Sequence, residues 1–187
     1  MNEEKEIKIL LTKDEYQKLD GIFDWSKDYI QTNHYYGSEE DIISKTNTYR
    51  VREKNGKIKI QVKMPISYDG SLHIKKEYEK DINSVPGVLS KEELSEITGH
   101  DFNNDKEYIG KLETRRKECL KYDNVEICLD KNDYLGKTDY EIEVEFKGAY
   151  PTEIISVLET NGLNTTASVE GKNSRYMKAL IAKRNTK

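Results

Sequence analysis

The sequence predicts an α+β fold in which antiparallel strands carry the architecture and helices are inserted among them. Three observations lead there. Most of the 187-residue chain alternates polar and apolar side chains with period two, the pattern of half-buried strands. Asn55-Gly56 separates two such runs and is a strong signal for a tight hairpin turn. The strand segments follow one another through hairpins, with capped helices between some of them, which favours antiparallel pairing.

From the N-terminus, Glu4 to Leu10 reads as the first strand. Thr12 then caps a helix from Lys13 to about Phe23, with Glu15 completing a capping box. Thr48–Arg52 and Lys57–Lys63 flank the Asn55-Gly56 turn, and Leu72 to Ile82 alternates after them. Ser90 caps Lys91 to Thr98, Glu93 sits in the box position and Gly99 ends the helix. Gly110 to Cys119 and Asn124 to Asp130 form the next pair. Tyr140 to Phe146 puts Glu141, Glu143 and Glu145 on one face and Ile142, Val144 and Phe146 on the other. Pro151 opens a helix from Thr152 to Thr160 that ends near Gly162, and Ser174 to Arg184 reads as a last, amphipathic helix. Pro65, Pro86 and Pro151 each fall at an element boundary. The count is about eight strands, with residues 1–187 forming a single domain.

Charge is abundant and balanced. Asp and Glu number 35, Lys and Arg 31, for a net charge of −4. That balance argues against nucleic-acid binding through net positive charge. It also argues against a disordered acidic chain, which needs high net charge. The longest apolar run, Ala179 to Ala182, is far short of the roughly 18 residues of a membrane span. The acidic N-terminus lacks the apolar core of a signal peptide, which predicts a cytoplasmic protein. Cys119 and Cys128 form no CxxC and read as reduced structural thiols. His34, His73 and His100 are scattered and read as surface or loop residues. The tyrosines suit strands, and Trp25 reads as a cover for an apolar sheet face.

The polar faces of the strands carry the functional signal. Glu4, Glu6 and Lys8 share one face, as do Arg50 with Arg52, Glu77 with Glu79, Arg115 with Lys117, and Glu143 with Glu145. Lys63 ends one strand and Asp130 another. Like charges at i and i+2 repel on adjacent same-face sites. The carboxylate pairs therefore require a compensating cation, and the arginine pair an anion. A closed barrel with a polar interior holds both. Mg²⁺ and Mn²⁺ are hard ions that prefer carboxylate oxygen, and Arg and Lys neutralise phosphate oxygens. Both kinds of side chain in one cavity predict metal-assisted phosphoryl transfer. No Ser/His/Asp or Cys/His arrangement is evident, which agrees with this chemistry, since water can serve as nucleophile. Arg116 should point away from Arg115 on an alternating strand and is left outside the site.

These motifs, in this order, resemble the CYTH domain, the family of triphosphate tunnel metalloenzymes related to class IV adenylate cyclases and thiamine triphosphatases. Glu4-Lys5-Glu6-Ile7-Lys8 matches its N-terminal ExExK signature, and Tyr49-Arg50-Val51-Arg52 resembles its RxR strand. Ile60-Gln61-Val62-Lys63, Lys76-Glu77-Tyr78-Glu79, Leu129-Asp130 and Glu141-Ile142-Glu143-Val144-Glu145 follow as in the family. Lys172, Ser174 and Arg175 resemble the basic motif before its last helix. Asn33-His34-Tyr35-Tyr36 and the stretch from Leu129 to Glu145 are most similar to a firmicute-type bacterial branch.

The resemblance implies an eight-stranded antiparallel β-barrel with flanking helices, open to solvent as a tunnel that takes a triphosphate. It implies that Glu4, Glu6, Glu143 and Glu145 hold a divalent metal, with Asp130 and Glu79 assisting. It implies phosphate contacts from Lys8, Arg50, Arg52, Lys63, Arg115, Lys172 and Arg175, and a catalytic set of Glu4, Glu6, Lys8, Arg52 and Glu145. Glu113 departs from the family by standing where some members are basic, and Lys117 is its candidate replacement. The implied activity is Mg²⁺- or Mn²⁺-dependent hydrolysis of inorganic triphosphate, thiamine triphosphate or a nucleoside triphosphate, with phosphate released. The alternatives are a class IV-type adenylate cyclase and a non-catalytic polyphosphate or nucleotide binder. The chain lacks the His-Phe pair of the cyclase branch and shows no base-recognition motif, which favours hydrolysis of a compact substrate. The implied partner is a triphosphate-containing small molecule, with neither nucleic acid nor membrane.

Overall fold

The computed structural model describes residues 2–44, 47–69 and 71–186, with the side chains of residues 2–4, 39, 43, 68 and 69 outside that description. The chain runs β1 (Asn2–Leu11), α1 (Lys13–Asp20), β2 (Lys27–Gly37), α2 (Glu39–Ser44), β3 (Thr48–Lys54), β4 (Lys57–Asp69), β5 (Leu72–Ile82), β6 (Val88–Leu89) and α3 (Lys91–Thr98). It continues through β7 (Lys106–Tyr122), β8 (Val125–Tyr134), β9 (Lys137–Phe146), α4 (Thr152–Thr160) and α5 (Lys172–Asn185).

The strands form one sheet in the order β2-β3-β4-β5-β1-β9-β8-β7-β6. A further pairing of β2 with β7 closes it. β6 contributes two residues alongside the start of β7 and stands outside the ring. The other eight strands are therefore a closed antiparallel barrel. Closure leaves no edge to template aggregation, and it gives each strand one inward and one outward face.

The apolar core lies outside the ring. Ile7, Ile9, Ile127, Leu129, Ile142 and Val144 point outward and are buried under Leu19 of α1 and Ile154, Ile155 and Leu158 of α4. Val51, Ile60 and Val62 are sealed by Leu94 of α3 in the same way. At one end Tyr176, Met177 and Ala179 of α5 pack on Tyr35, Leu112 and Tyr134. Each such buried aliphatic contributes about 1.5–3 kcal/mol relative to exposure. The helices thus stabilise the barrel from outside and leave its lumen to charged residues. Trp25 is partly buried against the first of these clusters and donates its Nε1–H to the Asp20 carbonyl at 2.9 Å.

Local signals are realised closely. Thr12 Oγ1 accepts from the Glu15 N–H at 3.2 Å, and the Glu15 carboxylate accepts from the Thr12 N–H at 2.7 Å. Gly99 closes α3 at φ 71°, in the left-handed region that glycine enters without strain. Asn55-Gly56 turns β3 into β4 with φ of 51° and 73°.

The differences lie at ends and in one strand. α1 stops at Asp20 rather than near Phe23, because Gly21 caps it. α5 begins at Lys172, two residues before Ser174. β2 is the strand that periodicity does not reveal. Its inner face carries Gln31, Asn33 and Tyr35 and its outer face Ile30, Thr32 and His34, so neither face is marked as apolar. No described helix is long and apolar enough to cross a membrane.

Candidate active site in the barrel lumen

A cavity of about 490 Å³ occupies the lumen. Glu6 and Lys8 enter it from β1, Arg50 and Arg52 from β3, and Lys63 from β4. Lys75, Glu77 and Glu79 enter from β5, Arg116 and Glu118 from β7, and Glu143 and Glu145 from β9. The segment 168–174 at the start of α5 closes one end. Strand parity drives the arrangement. Because alternate residues face outward into apolar cores, the intervening charges must face in.

The charges neutralise one another across strands. Lys8 Nζ lies 2.6 Å from Glu143 Oε1 and 3.3 Å from Glu6. Lys75 Nζ lies 2.5 Å from Glu6. Burial raises the Glu6 pKa, but Lys8, Lys75 and Lys63 outweigh it and hold the carboxyl well below its ordinary value. Burial lowers the Lys8 pKa, while Glu143 and Glu6 drive it the other way, for a net rise. Arg50 Nε donates to Gln61 Oε1 at 2.8 Å, and Lys63 sits 3.5 Å from Glu77. Arg52 Nε donates to Asn33 Oδ1 at 3.0 Å. Burial, then Arg50 and Arg116, pull the Arg52 pKa down to about 10, so it stays cationic at neutral pH. Glu79 is half-exposed at the rim, held by Lys59 at 3.0 Å and by the Gln61 amide.

Deeper in the wall, Arg116 grips the fully buried Asp130 bidentately at 2.8 and 2.7 Å and also donates to Glu143. Lys172 Nζ stands 2.7 Å from Asp130 and 2.8 Å from Glu143, and it also contacts Glu141. Burial raises the Asp130 pKa, yet Arg116 and Lys172 hold it well below the carboxylate range.

The lumen thus brings together Glu6, Lys8, Arg50, Arg52, Lys63, Glu79, Glu143, Glu145 and Lys172, with Asp130 buried directly behind Arg116. Glu4 stands on β1 opposite Lys75, and its side chain lies outside the described residues. Arg115 is a correction. It points away from the lumen, exposed, and pairs bidentately with Asp28 at 3.0 and 2.9 Å. Arg116 takes the inward position. Glu113 and Lys117 share the outer face with Arg115, and Lys117 Nζ binds Asp20 at 2.5 Å, so neither bears on the grip inside. Arg175 is a second correction. It does not line the cavity but ties α5 to Asp139, at 2.8 and 3.1 Å, and to Glu141 at 2.9 Å.

Sequence reasoning missed Arg116, Glu118, Lys54, Lys75 and Glu126, all of which line the cavity. The signal for Arg116 was its register opposite Asp130, which is invisible until the β7–β8 turn is located. His73 is not a surface residue. It is buried in the cavity wall, and burial with Lys75 and Lys8 lowers its pKa to about 4, so it is neutral at pH 7. Cys128 faces the same way as Asp130, and burial raises its thiol pKa well above the usual value.

Carboxylate oxygens of Glu6, Glu143 and Glu145 come within 4.8 Å of one another. An all-oxygen donor set of this kind fits a hard divalent cation. Two further groups converge among the described residues: Glu118 with Glu126 and Cys128, and Asp130 with Glu141 and Glu143, the latter contacted by Lys172 and Arg116.

The family model described as the CYTH domain matches residues 2–168. A Bacillus subtilis protein named "Putative triphosphatase YjbK" is 31% identical over 150 residues, 76% of this chain and 76% of its own. Among solved structures, the Hippeastrum protein HpAC1, described as a "putative adenylyl cyclase" that reveals a dominant triphosphatase activity, superposes with a TM-score of 0.70. It is 20% identical, over 94% of this chain and 95% of its own. The RNA triphosphatase domain of a mimivirus mRNA capping enzyme superposes with a TM-score of 0.54 at 12% identity, over 86% and 87% of the two chains. At these identities the two structural likenesses are likenesses of fold.

Proposed function

The chain belongs to the CYTH domain family, and on that premise we propose that it is a divalent-metal-dependent hydrolase of triphosphate compounds. One observation carries the reading. Three carboxylates whose oxygens converge within 4.8 Å share a cavity of about 490 Å³ with Lys8, Arg50, Arg52, Lys63, Lys75 and Arg116. That volume is in the range of small-molecule sites, roughly 300–1,000 Å³.

Glu6, Glu143 and Glu145 would hold Mg²⁺ or Mn²⁺; Glu4, two residues before Glu6 in the sequence, is the further candidate ligand. When bound, such an ion supplies positive charge to phosphoryl oxygens and lowers the pKa of a coordinated water. The rest is done by the chain's own cations. Arg50, Arg52 and Lys63 stand on neighbouring strands and bind phosphate oxygens, orienting the anion along the lumen. Lys8 and Arg116, already charged and desolvated, stabilise charge that builds on the transferring group without reorganising. Asp130 and Asn33 act through others: Asp130 orients Arg116, and Asn33 orients Arg52.

A compact substrate such as inorganic triphosphate fits best. Tyr35 and His73 are the aromatic residues of the described lining, and both are buried rather than exposed for a base to stack on. The test is product analysis with triphosphate, ATP and thiamine triphosphate, each with Mg²⁺ or Mn²⁺. Phosphate release supports the reading. Pyrophosphate with cyclic AMP from ATP identifies a cyclase, and binding without turnover under either metal identifies a sensor.

A further inference from the structure

Tyr35 stands on β2 directly opposite Arg50 of β3, and both point into the lumen. The Tyr35 hydroxyl is buried and has no hydrogen-bond partner. Nη2 of Arg50 is likewise buried without a hydrogen-bond acceptor, its nearest carboxylate being Glu77 at 3.9 Å. Two polar groups on paired strands are thus buried without a hydrogen-bond partner among the described residues. Leaving a buried donor unmade is costly, and native proteins keep few of them.

The position is built. The β2–β7 register shifts between Tyr35 and Tyr36, a bulge of the kind that re-aims side chains. It leaves both tyrosines buried, facing opposite ways: Tyr36 donates outward to the Pro86 carbonyl at 2.6 Å, while Tyr35 faces in. The Tyr35 ring packs on Tyr176 of α5, with centroids 5.0 Å apart, and Tyr176 is itself anchored to the Ile109 carbonyl at 3.2 Å. Gly110 makes room for that anchor, because a Cβ there would collide with the Tyr176 hydroxyl. Burial raises the Tyr35 hydroxyl pKa, and the cations Arg50, Arg52, Arg175 and Lys8 act against that rise. A neutral donor that shares the cavity lining with Lys8, Arg50 and Arg52 is matched to an anionic acceptor.

We propose that Tyr35 is a further substrate-binding residue, its hydroxyl donating together with Arg50 Nη2 to one phosphate end of the tunnel-bound anion. The inference rests on the triphosphate reading above. It adds a hydrogen bond from a neutral donor to the charged anion, and it accounts for the orphan hydroxyl.

The experiment is Tyr35→Phe, which retains the ring and its packing. Triphosphate affinity is measured by calorimetry beside wild type, and melting temperature is measured without ligand. The expected result is affinity weakened about ten- to hundredfold, the range for losing a hydrogen bond to a charged acceptor. The ligand-free melting temperature should be equal to or above wild type, since the hydroxyl has no partner to lose. Affinity within twofold of wild type overturns the proposal and leaves the triphosphate reading standing. A fall of several degrees in the ligand-free protein also overturns it, because it would show that the hydroxyl is a structural bond. Wild-type protein that binds no triphosphate overturns the reading on which the proposal rests.

Discussion

Replacing Arg116 by Ala, with Arg115→Ala as its control, separates the two faces of β7. Arg116 is buried and holds the fully buried Asp130 through two bonds of 2.8 and 2.7 Å. Breaking a buried ion pair from one side costs about 3–5 kcal/mol, because the remaining charge is stranded. Lys172 stays 2.7 Å from Asp130, which favours the lower half of that range. At this chain length about 1 kcal/mol corresponds to roughly 2–4 °C, so the melting temperature should fall by about 6–16 °C. Turnover of triphosphate should fall by about 10²–10³, the effect of losing one preorganised charge-stabilising donor. Arg116→Lys should recover little, since an ammonium cannot make the bidentate contact. Arg115→Ala removes an exposed pair with Asp28 and should leave both quantities near wild type. Thermal unfolding and phosphate release measure the two outcomes. Equal losses from both substitutions, or a larger loss from Arg115→Ala, would refute the inward parity of Arg116.

Two further predictions concern Glu6 and His73. Glu6→Gln keeps the shape but removes one carboxylate from the converging trio. It should reduce turnover at least about a hundredfold and abolish the melting-temperature rise that Mg²⁺ plus triphosphate gives wild type; that rise is about 5–10 °C at a hundredfold excess over Kd. Retained activity together with the full thermal shift would remove Glu6 from the metal set. His73 has its folded pKa lowered from 6.5 to about 4, so between those values the unfolded chain binds more protons. Stability is then fully present above pH 6.5 and lost as pH falls toward 4. His73→Gln should flatten that part of a melting-temperature profile, and an unchanged slope would place its origin elsewhere.

The sequence made the site more legible than the sheet that builds it. Glu6, Lys8, Arg50, Arg52, Lys63, Glu143 and Glu145, which line the lumen, are legible as one face because each alternates with an apolar neighbour that marks the outward face. On β7 that marker fails. Glu113, Arg115 and Lys117 are polar outside, and Thr114, Arg116 and Glu118 are polar inside, so the period is visible but its phase is not. The phase is set by register with β8, a long-range pairing. β2 was missed for a related reason, since neither of its faces is marked as apolar. His73 shows the complementary failure. A lone histidine carries no local sign of burial, and its place in the lumen follows from β5 pairing with β1 opposite Glu6. The near-zero net charge carries no trace of the site for a similar reason. It is the sum of pairs such as Lys8 with Glu143 and Arg116 with Asp130, which neutralise each other inside the barrel.

A crystal structure with Mn²⁺ and triphosphate bound, the metal located by its anomalous signal, tests the central claim most directly. The account predicts a manganese peak among Glu6, Glu143 and Glu145, with the anion inside the barrel against Arg50, Arg52 and Lys63. Manganese at another site, or an anion bound outside the lumen, would contradict it.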